Sequence, residues 1–215
     1  RVNLYHIPPV AVVGITPALV ERLLKAYPGT IAGMKDSSGD LEGTKKYLAA
    51  VPKDFTVLTG AGGKLAPSLA AGCAGAVLAI ANSLPYVCIT IWEATRQREA
   101  EAAEDWQQRL KPATDMFAAH GIPGLKHAMD LMGYFGGPPR LPLVPAGPAA
   151  QAEIALRATD AAAQKLGAKV AIVVVQHSGE LVMLKRQDGA SYGTTDAAIA
   201  KARTATRFRR DSKVI

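Results

Sequence analysis

The stretch TIAGMKDSSGD, residues 30–40, decides how the first part of this chain folds. Residues 30–36 predict a buried β-strand that ends at a lysine, Lys35, beside a group of small polar residues. A lysine in this place is either a solvated surface charge or a reactive amine. Because the stem of Lys35 starts in an apolar layer, partial desolvation favours the neutral amine, which attacks carbonyl carbons and forms Schiff bases.

The same strand-then-helix unit recurs on both sides of this stretch. Apolar, non-alternating strands are predicted at residues 2–7, 30–36, 55–61 and 75–82. Amphipathic helices are predicted at residues 18–27, 40–51, 64–72, about 85–119 and 122–133. This pattern is typical of a parallel sheet that is covered on both faces.

Polar residues gather at the predicted strand ends. One residue marks each end: Tyr5, Lys35, Gly60 and Asn82. Their successive spacings of 30, 25 and 22 residues are those of βα units. Ligands of parallel α/β folds bind at the carboxyl ends of the strands, so we expect these residues to face one site. The Tyr5 phenol is placed there to move a proton.

Composition limits the classes of protein that this chain can belong to. With 215 residues, of which 49% are hydrophobic, it can bury the core of one domain or slightly more. No apolar run reaches the length of a membrane span, so no membrane partner is expected. Cys73 and Cys88 lie in apolar surroundings and are expected to be buried thiols rather than a redox pair. We therefore expect a reducing, cytoplasmic location.

A segment rich in proline and glycine, residues 136–148, predicts a boundary between domains 1–148 and 149–215. Charge supports a division, because residues 1–164 carry 15 basic and 14 acidic side chains, whereas residues 165–215 carry 10 and 4. The second part predicts a partial α+β domain, which consists of a helix, a hairpin of strands 168–177 and 180–187 joined by a two-residue turn, and a basic helix over residues 194–210.

Two motifs in the first part carry a family resemblance. LYHIPP (4–9), followed by GMKDSSGD (33–40), resembles the dihydrodipicolinate synthase and N-acetylneuraminate lyase family, as does HGIPGLKHAMDLMGYFGGPPRLPLVP (120–145). The resemblance covers roughly residues 1–155. It implies an α/β fold of the TIM (β/α)8 barrel type and a class I aldolase or lyase.

The resemblance also implies roles for individual residues. Lys35 would form a Schiff base with the ketone of pyruvate or another 2-oxo acid, and Tyr5 would relay protons. Backbone groups near Gly60 and Ile80 would line the substrate pocket. The family implies no metal and no organic cofactor for this site, and a homo-oligomer.

The sequence departs from the family pattern at three points. His6 stands where the family usually has asparagine, and it is expected either to bind substrate as a polar substitute or to be structural. The apolar residues 10–13 offer no arginine for a substrate carboxylate, which favours a related lyase over dipicolinate synthesis. Only four of eight barrel strands are predicted. We expect a fragment of a longer product, since Arg1 begins within a strand; the alternative is a barrel completed by a second copy.

The second part carries its own resemblance. The hairpin, the Arg186-x-Asp188-Gly189-Ala190 element and the following helix resemble part of the GlcG/HbpS-like family of haem-binding or haem-degrading domains. The resemblance implies haem binding. His177 is then a candidate axial ligand, although a histidine at a hairpin turn is more often solvated.

Three further interpretations stay open. A cluster of arginines, Arg203, Arg207, Arg209 and Arg210, attracts phosphate, but without an aromatic platform a solvated helix face is expected and nucleic-acid binding is not. The chain is alternatively a catalytically silent, truncated barrel fused to a haem-binding or small-ligand-binding module. It is alternatively a gene fragment with no function.

Overall fold

The structure is a computed structural model and describes residues 1–208. The chain divides into two compact units, the first from Arg1 to Ala119 and the second from His120 onward. A helix over Ala100–Leu131 crosses this division, and its helical backbone is interrupted at Gly121, where φ is 59°. The domain boundary predicted after residue 148 stays a prediction.

Unit 1 contains four strands and most of the helices. Its elements in chain order are β1 (Val2–His6), α1 (Pro8–Ala11), α2 (Pro17–Ala26), β2 (Ile31–Asp36), α3 (Leu41–Ala50), β3 (Thr56–Thr59), a 3₁₀ turn (Gly62–Lys64), α4 (Leu65–Ala70), β4 (Gly75–Ala76), a second 3₁₀ turn (Ala79–Asn82), α5 (Pro85–Arg96) and the first part of α6 (Ala100–Leu131). Helix α2 starts at Pro17, and the Thr16 hydroxyl caps it by accepting a hydrogen bond from the Leu19 N–H at 3.2 Å.

The four strands form one parallel sheet in the order β1-β2-β3-β4. Tyr5 is paired with Lys35 and Lys35 with Leu58, so these residues form one row across the sheet. The next row contains His6, Asp36 and Thr59. Neighbouring residues of a strand point to opposite faces, so the two rows serve different surfaces.

One face of the sheet carries the hydrophobic core of unit 1. The buried members of this core are Val20, Met34, Tyr47, Phe55, Val57 and Cys73. α2, α3, β2 and β3 contribute one residue each, and Phe55 and Cys73 come from the loops before β3 and after α4. Met34 and Asp36 have the same parity in β2, so Asp36 lies on the core face and Lys35 on the opposite one.

Three predicted elements differ from the structure. The helix expected over residues 85–119 is broken between α5 and α6, where Arg98 has a φ of 62°. Helix α6 instead continues past residue 119, across the Gly121 interruption. The fourth strand is shorter than predicted, because β4 covers only Gly75–Ala76 and a 3₁₀ turn follows. An apolar run does not by itself distinguish a strand from a buried helical turn.

Unit 2 packs two helices against a hairpin. Its elements after α6 are α7 (Pro148–Lys165), β5 (Ala171–Val175), β6 (Leu181–Arg186) and α8 (Gly193–Phe208). Strands β5 and β6 are antiparallel, and both α7 and α8 contact β5. Asp160 of α7, which is buried, accepts hydrogen bonds from Lys185 at 2.6 Å and Gln187 at 2.8 Å. These bonds connect the helix to the end of the hairpin.

The hairpin was predicted correctly, but its turn is one residue longer than expected. The Gly179 N–H donates to the Gln176 carbonyl at 2.9 Å, and the Gln176 N–H donates to the Glu180 carbonyl at 2.8 Å. Three residues, 177–179, therefore lie inside the hydrogen-bonded pair of Gln176 and Glu180, and Gly179 takes a left-handed φ of 86°. This geometry is typical of a three-residue hairpin loop.

Within residues 1–208, no helix combines the length and the apolar character that spanning a membrane requires. Nor do the described side chains include a group of three or more histidine, cysteine, aspartate or glutamate residues placed to hold a metal ion. Arg209 and Arg210 of the predicted basic cluster lie outside the described residues.

Candidate active site

The structure brings Lys35 and Tyr5 together at the carboxyl end of the sheet. The Lys35 ammonium nitrogen lies 4.4 Å from the centre of the Tyr5 ring, in the geometry of a cation–π contact. Lys35 is half-buried, and 48% of Tyr5 is exposed. The stem of Lys35 is therefore partly buried, and the exposed side of Tyr5 leaves an opening through which a carbonyl substrate can reach the amine.

Gly60 closes one side of this site. Its N–H donates to the Asp36 carbonyl at 2.6 Å, which continues the ladder between β2 and β3 beyond the strand ends. A β-carbon added at Gly60 would lie 1.9 Å from Ser37 Oγ and 2.8 Å from Lys35 Cε. Only glycine leaves room for both side chains here, so the predicted pocket residue Gly60 does adjoin Lys35.

Ser37 belongs to the same cluster, although the sequence had marked it only as small. Its Oγ atom is buried, and no described residue lies at the distance and angle of a hydrogen bond to it. Its N–H donates to the His6 carbonyl at 2.8 Å, which holds the residue against the end of β1. Interaction with the Ser37 hydroxyl is the main reason that the pKa of Tyr5 lies below its usual value of 10. Burial opposes this effect, and the Lys35 ammonium lowers the pKa by a smaller amount.

The structure does not bring the His6 side chain to this cluster. His6 is buried and lies on the core face of β1, where its Nδ1 accepts a hydrogen bond from the Ile15 N–H at 3.1 Å. Its ring packs edge-on against Tyr47, 5.5 Å away, and the Tyr47 hydroxyl donates to the Ile15 carbonyl. Of the two roles expected for His6, this packing supports the structural one, because the ring anchors the loop that follows β1.

Ile80 lies in the 3₁₀ turn Ala79–Asn82, which follows β4. It is buried, and its side chain would lie 3.1 Å from a β-carbon added at Gly62. Its carbonyl already accepts hydrogen bonds from the Ser83 and Leu84 N–H groups. The structure thus places Ile80 beside the loop that carries Gly60, and its contact with a substrate stays a prediction.

Asp36 is a polar residue of this region that received no role in the sequence analysis. It is 2% exposed and accepts hydrogen bonds from the Thr44 hydroxyl at 2.7 Å and the Ser38 N–H at 2.9 Å. These bonds fix the turn from β2 into α3. Asp36 therefore positions the chain that carries Lys35 and Ser37, and alternation along β2 was the signal that placed it on the core face.

Unit 2 has an open groove with a volume of about 660 Å³. It is lined by residues 170–175, which include β5, and by parts of α7 and α8 that are mostly small, such as Ala163 and Ala202. The lining contains no imidazole, thiol or thioether, and His177 lies exposed at the hairpin turn outside it. The described lining of this groove therefore offers none of the side chains that commonly bind haem iron, which are histidine, cysteine, methionine and tyrosine.

Four parallel βα units, with a lysine and a tyrosine at neighbouring strand ends, form an α/β fold that is consistent with part of a barrel. Residues 2–161 match the model of the dihydrodipicolinate synthetase family, and the chain belongs to that family. Residues 148–215 match a second model, described as haem degrading protein HbpS-like. Both resemblances seen in the sequence are confirmed.

Relatives agree with this assignment. The chain is 33% identical over 152 residues to a 4-hydroxy-tetrahydrodipicolinate synthase of an Exiguobacterium species, covering 70% of this chain and 51% of the relative. It is 34% identical over 141 residues to the enzyme of the same name from Archaeoglobus fulgidus, covering 65% and 48%. The chain thus spans about half the length of the curated relatives that it matches.

Solved structures show the same partial coverage. YagE, a prophage protein of the dihydrodipicolinic acid synthase family from E. coli K12, was solved in complex with pyruvate. It aligns with a TM-score of 0.68 and 25% identity, over 75% of this chain and 56% of that one. The four strands found here are therefore consistent with part of a barrel, as the sequence predicted, followed by a small antiparallel sheet.

Proposed function

We propose that unit 1 carries a Schiff-base-forming lysine site for pyruvate or another 2-oxo acid, as part of a class I lyase or aldolase. The observation that carries this proposal is the position of Lys35, 4.4 Å from the Tyr5 ring and directly beside Gly60. Family membership supports it. Since the chain spans half of its relatives, the activity of the whole protein, a homo-oligomeric assembly and a cytoplasmic location belong to the proposal as well.

In this mechanism the neutral Lys35 amine attacks the ketone carbon of the 2-oxo acid and water is lost, which leaves an iminium ion. A base then removes a proton from the carbon next to the iminium, and the resulting enamine attacks an aldehyde. We assign to Tyr5 the role of taking and returning that proton. Nothing in these steps requires a metal or an organic cofactor.

The test is borohydride trapping with pyruvate, followed by intact-mass spectrometry. We expect a reduced adduct on the chain, no adduct on Lys35→Ala, and an unchanged adduct on Lys64→Ala. Lys64 is the matched control because it is an exposed lysine close to the end of β3. An adduct that persists in Lys35→Ala would refute the assignment of the amine, and no adduct in any of the three proteins would refute activity of this chain.

A second candidate function, supported by the match to the HbpS-like model, is a silent barrel joined to a ligand-binding module. Because the described groove of unit 2 lacks an axial ligand for iron, we expect a small apolar ligand rather than haem. Titration with haem should then produce no Soret band that depends on His177. A Soret band that is lost in His177→Ala would favour the haem-binding alternative.

A further inference from the structure

The Ser37 hydroxyl is the one buried side-chain polar atom in residues 1–208 without a partner at hydrogen-bonding distance and angle, although it lies near enough to the Tyr5 phenol to lower the pKa of that group. A buried hydroxyl that makes no hydrogen bond costs about 1–3 kcal/mol of folding free energy, so such atoms are uncommon. The neighbouring serine offers a contrast, because Ser38 Oγ accepts the Asp40 N–H at 3.2 Å in an ordinary turn. The unused bond of Ser37 therefore needs an explanation that local structure does not give.

The surroundings of Ser37 Oγ point to the candidate active site. This atom and Lys35 Cε crowd the same point above Gly60, at 1.9 and 2.8 Å from a β-carbon added there. Lys35 and Tyr5 are paired in the sheet, and the lysine nitrogen lies over the tyrosine ring. The backbone of Ser37 is fixed to the end of β1, because its N–H donates to the carbonyl of His6 at 2.8 Å.

We infer that Ser37 is a positioning residue, whose hydroxyl donates a hydrogen bond to the Tyr5 oxygen when that oxygen carries negative charge. This inference rests on the proposed function. During enamine formation, the Tyr5 phenolate takes the proton from the methyl carbon of the pyruvate iminium, and the C–H electron pair forms the enamine double bond. The Ser37 proton stays on Ser37 throughout, so the serine orients the base without being consumed.

The Ser37 hydroxyl stabilises the ionised form of Tyr5 more than the neutral form, because a hydrogen bond to a charged acceptor is stronger than one to a neutral acceptor. The lowered pKa of Tyr5, to which the Ser37 hydroxyl contributes most, agrees with this geometry. Because the hydroxyl has no other described partner, removing it should not harm the fold. Ser37→Ala is therefore expected to melt at the same temperature as the original chain, or slightly higher.

The first measurement is the ionisation of Tyr5, followed by tyrosinate absorbance and assigned by difference from Tyr5→Phe. We expect Ser37→Ala to raise the pKa of Tyr5, Ser37→Thr to retain the lowered value, and Ser38→Ala to leave it unchanged. An equal Tyr5 titration in Ser37→Ala and the original chain would overturn the inference. This readout does not depend on turnover.

The second measurement is the exchange of pyruvate methyl protons with deuterated water, compared with the rate of borohydride trapping. Ser37→Ala should slow the exchange about tenfold, the effect of one hydrogen bond worth about 1.4 kcal/mol, with trapping little changed. A shifted Tyr5 titration without any pyruvate adduct would support the Ser37–Tyr5 bond while refuting the proposed function. An adduct with normal exchange in Ser37→Ala would overturn the role of Ser37 alone.

Discussion

Replacing Gly60 by alanine should damage the candidate site without replacing any proposed catalytic side chain. The added β-carbon would lie 1.9 Å from Ser37 Oγ, 2.9 Å from Ser37 Cβ and 2.8 Å from Lys35 Cε. Rotating the hydroxyl relieves only the first of these contacts. The other two require movement of the Ser37 backbone or of the Lys35 side chain, and Ser37 is held by its hydrogen bond to His6.

The size of the effect follows from this crowding. Forcing an extra methyl group into a packed site costs about 1–3 kcal/mol of folding free energy, which corresponds to roughly 4–12 °C in the melting temperature of a unit this size. A displacement of the reacting amine by about 1 Å should lower the rate of pyruvate trapping about 100-fold. Thermal melting followed by circular dichroism and a borohydride-trapping time course measure the two effects.

Gly63→Ala provides the matched control. Its added β-carbon would meet only Thr114 Oγ1, at an ordinary distance of 3.8 Å. We expect this variant to melt within about 1 kcal/mol of the original chain and to trap pyruvate at the original rate. If Gly60→Ala melts and traps pyruvate like Gly63→Ala, the crowded arrangement of Gly60, Ser37 and Lys35 is refuted.

Two further predictions concern the stability of each unit. In unit 2, hydrogen bonds from Lys185 and then Gln187 lower the pKa of Asp160, and burial has a smaller opposing effect. The ionised Asp160 therefore stabilises the folded state above the ordinary aspartate pKa of about 3.9, and this stabilisation is lost as the pH falls through the lowered pKa. Asp160→Asn should therefore lower the melting temperature at pH 6, and the difference from the original chain should shrink towards pH 2. The control is Asp188→Asn, because Asp188 is exposed, and an equal loss of melting temperature in that variant would contradict this assignment. In unit 1, Thr16→Ala removes the N-cap of α2 and should cost about 1 kcal/mol in urea unfolding, whereas Thr16→Ser should restore most of it; an unchanged midpoint in Thr16→Ala would show that the cap is not needed.

Much of the fold could be predicted because its signals are local. The spacing of strand ends and the apolar character of the strands indicated a parallel sheet, and β1, β2 and β3 form with Tyr5, Lys35 and Gly60 at the expected ends. Helix boundaries were less predictable. The break at Arg98 and the interruption at Gly121 depend on backbone conformations that a run of helix-forming residues does not reveal.

The site was predicted in part for a similar reason. Strand alternation, which can be read from the sequence, already separates Tyr5 from His6, and applying it would have placed His6 on the core face. The role of Ser37 had no comparable signal. A small polar residue after a strand is commonplace, and only its burial against Gly60 makes its hydroxyl unusual.

The sequence by itself determined that unit 1 repeats a βα unit, that a lysine and a tyrosine stand at neighbouring strand ends, and that a hairpin follows a proline-rich segment. Hydrophobic periodicity and turn chemistry act over a few residues, so they are visible without coordinates. The tertiary structure decided which side chains meet: Lys35 over the Tyr5 ring, Ser37 against Gly60, and His6 under the loop at Ile15. Those contacts join residues from different strands and loops, and packing of the whole sheet sets their distances.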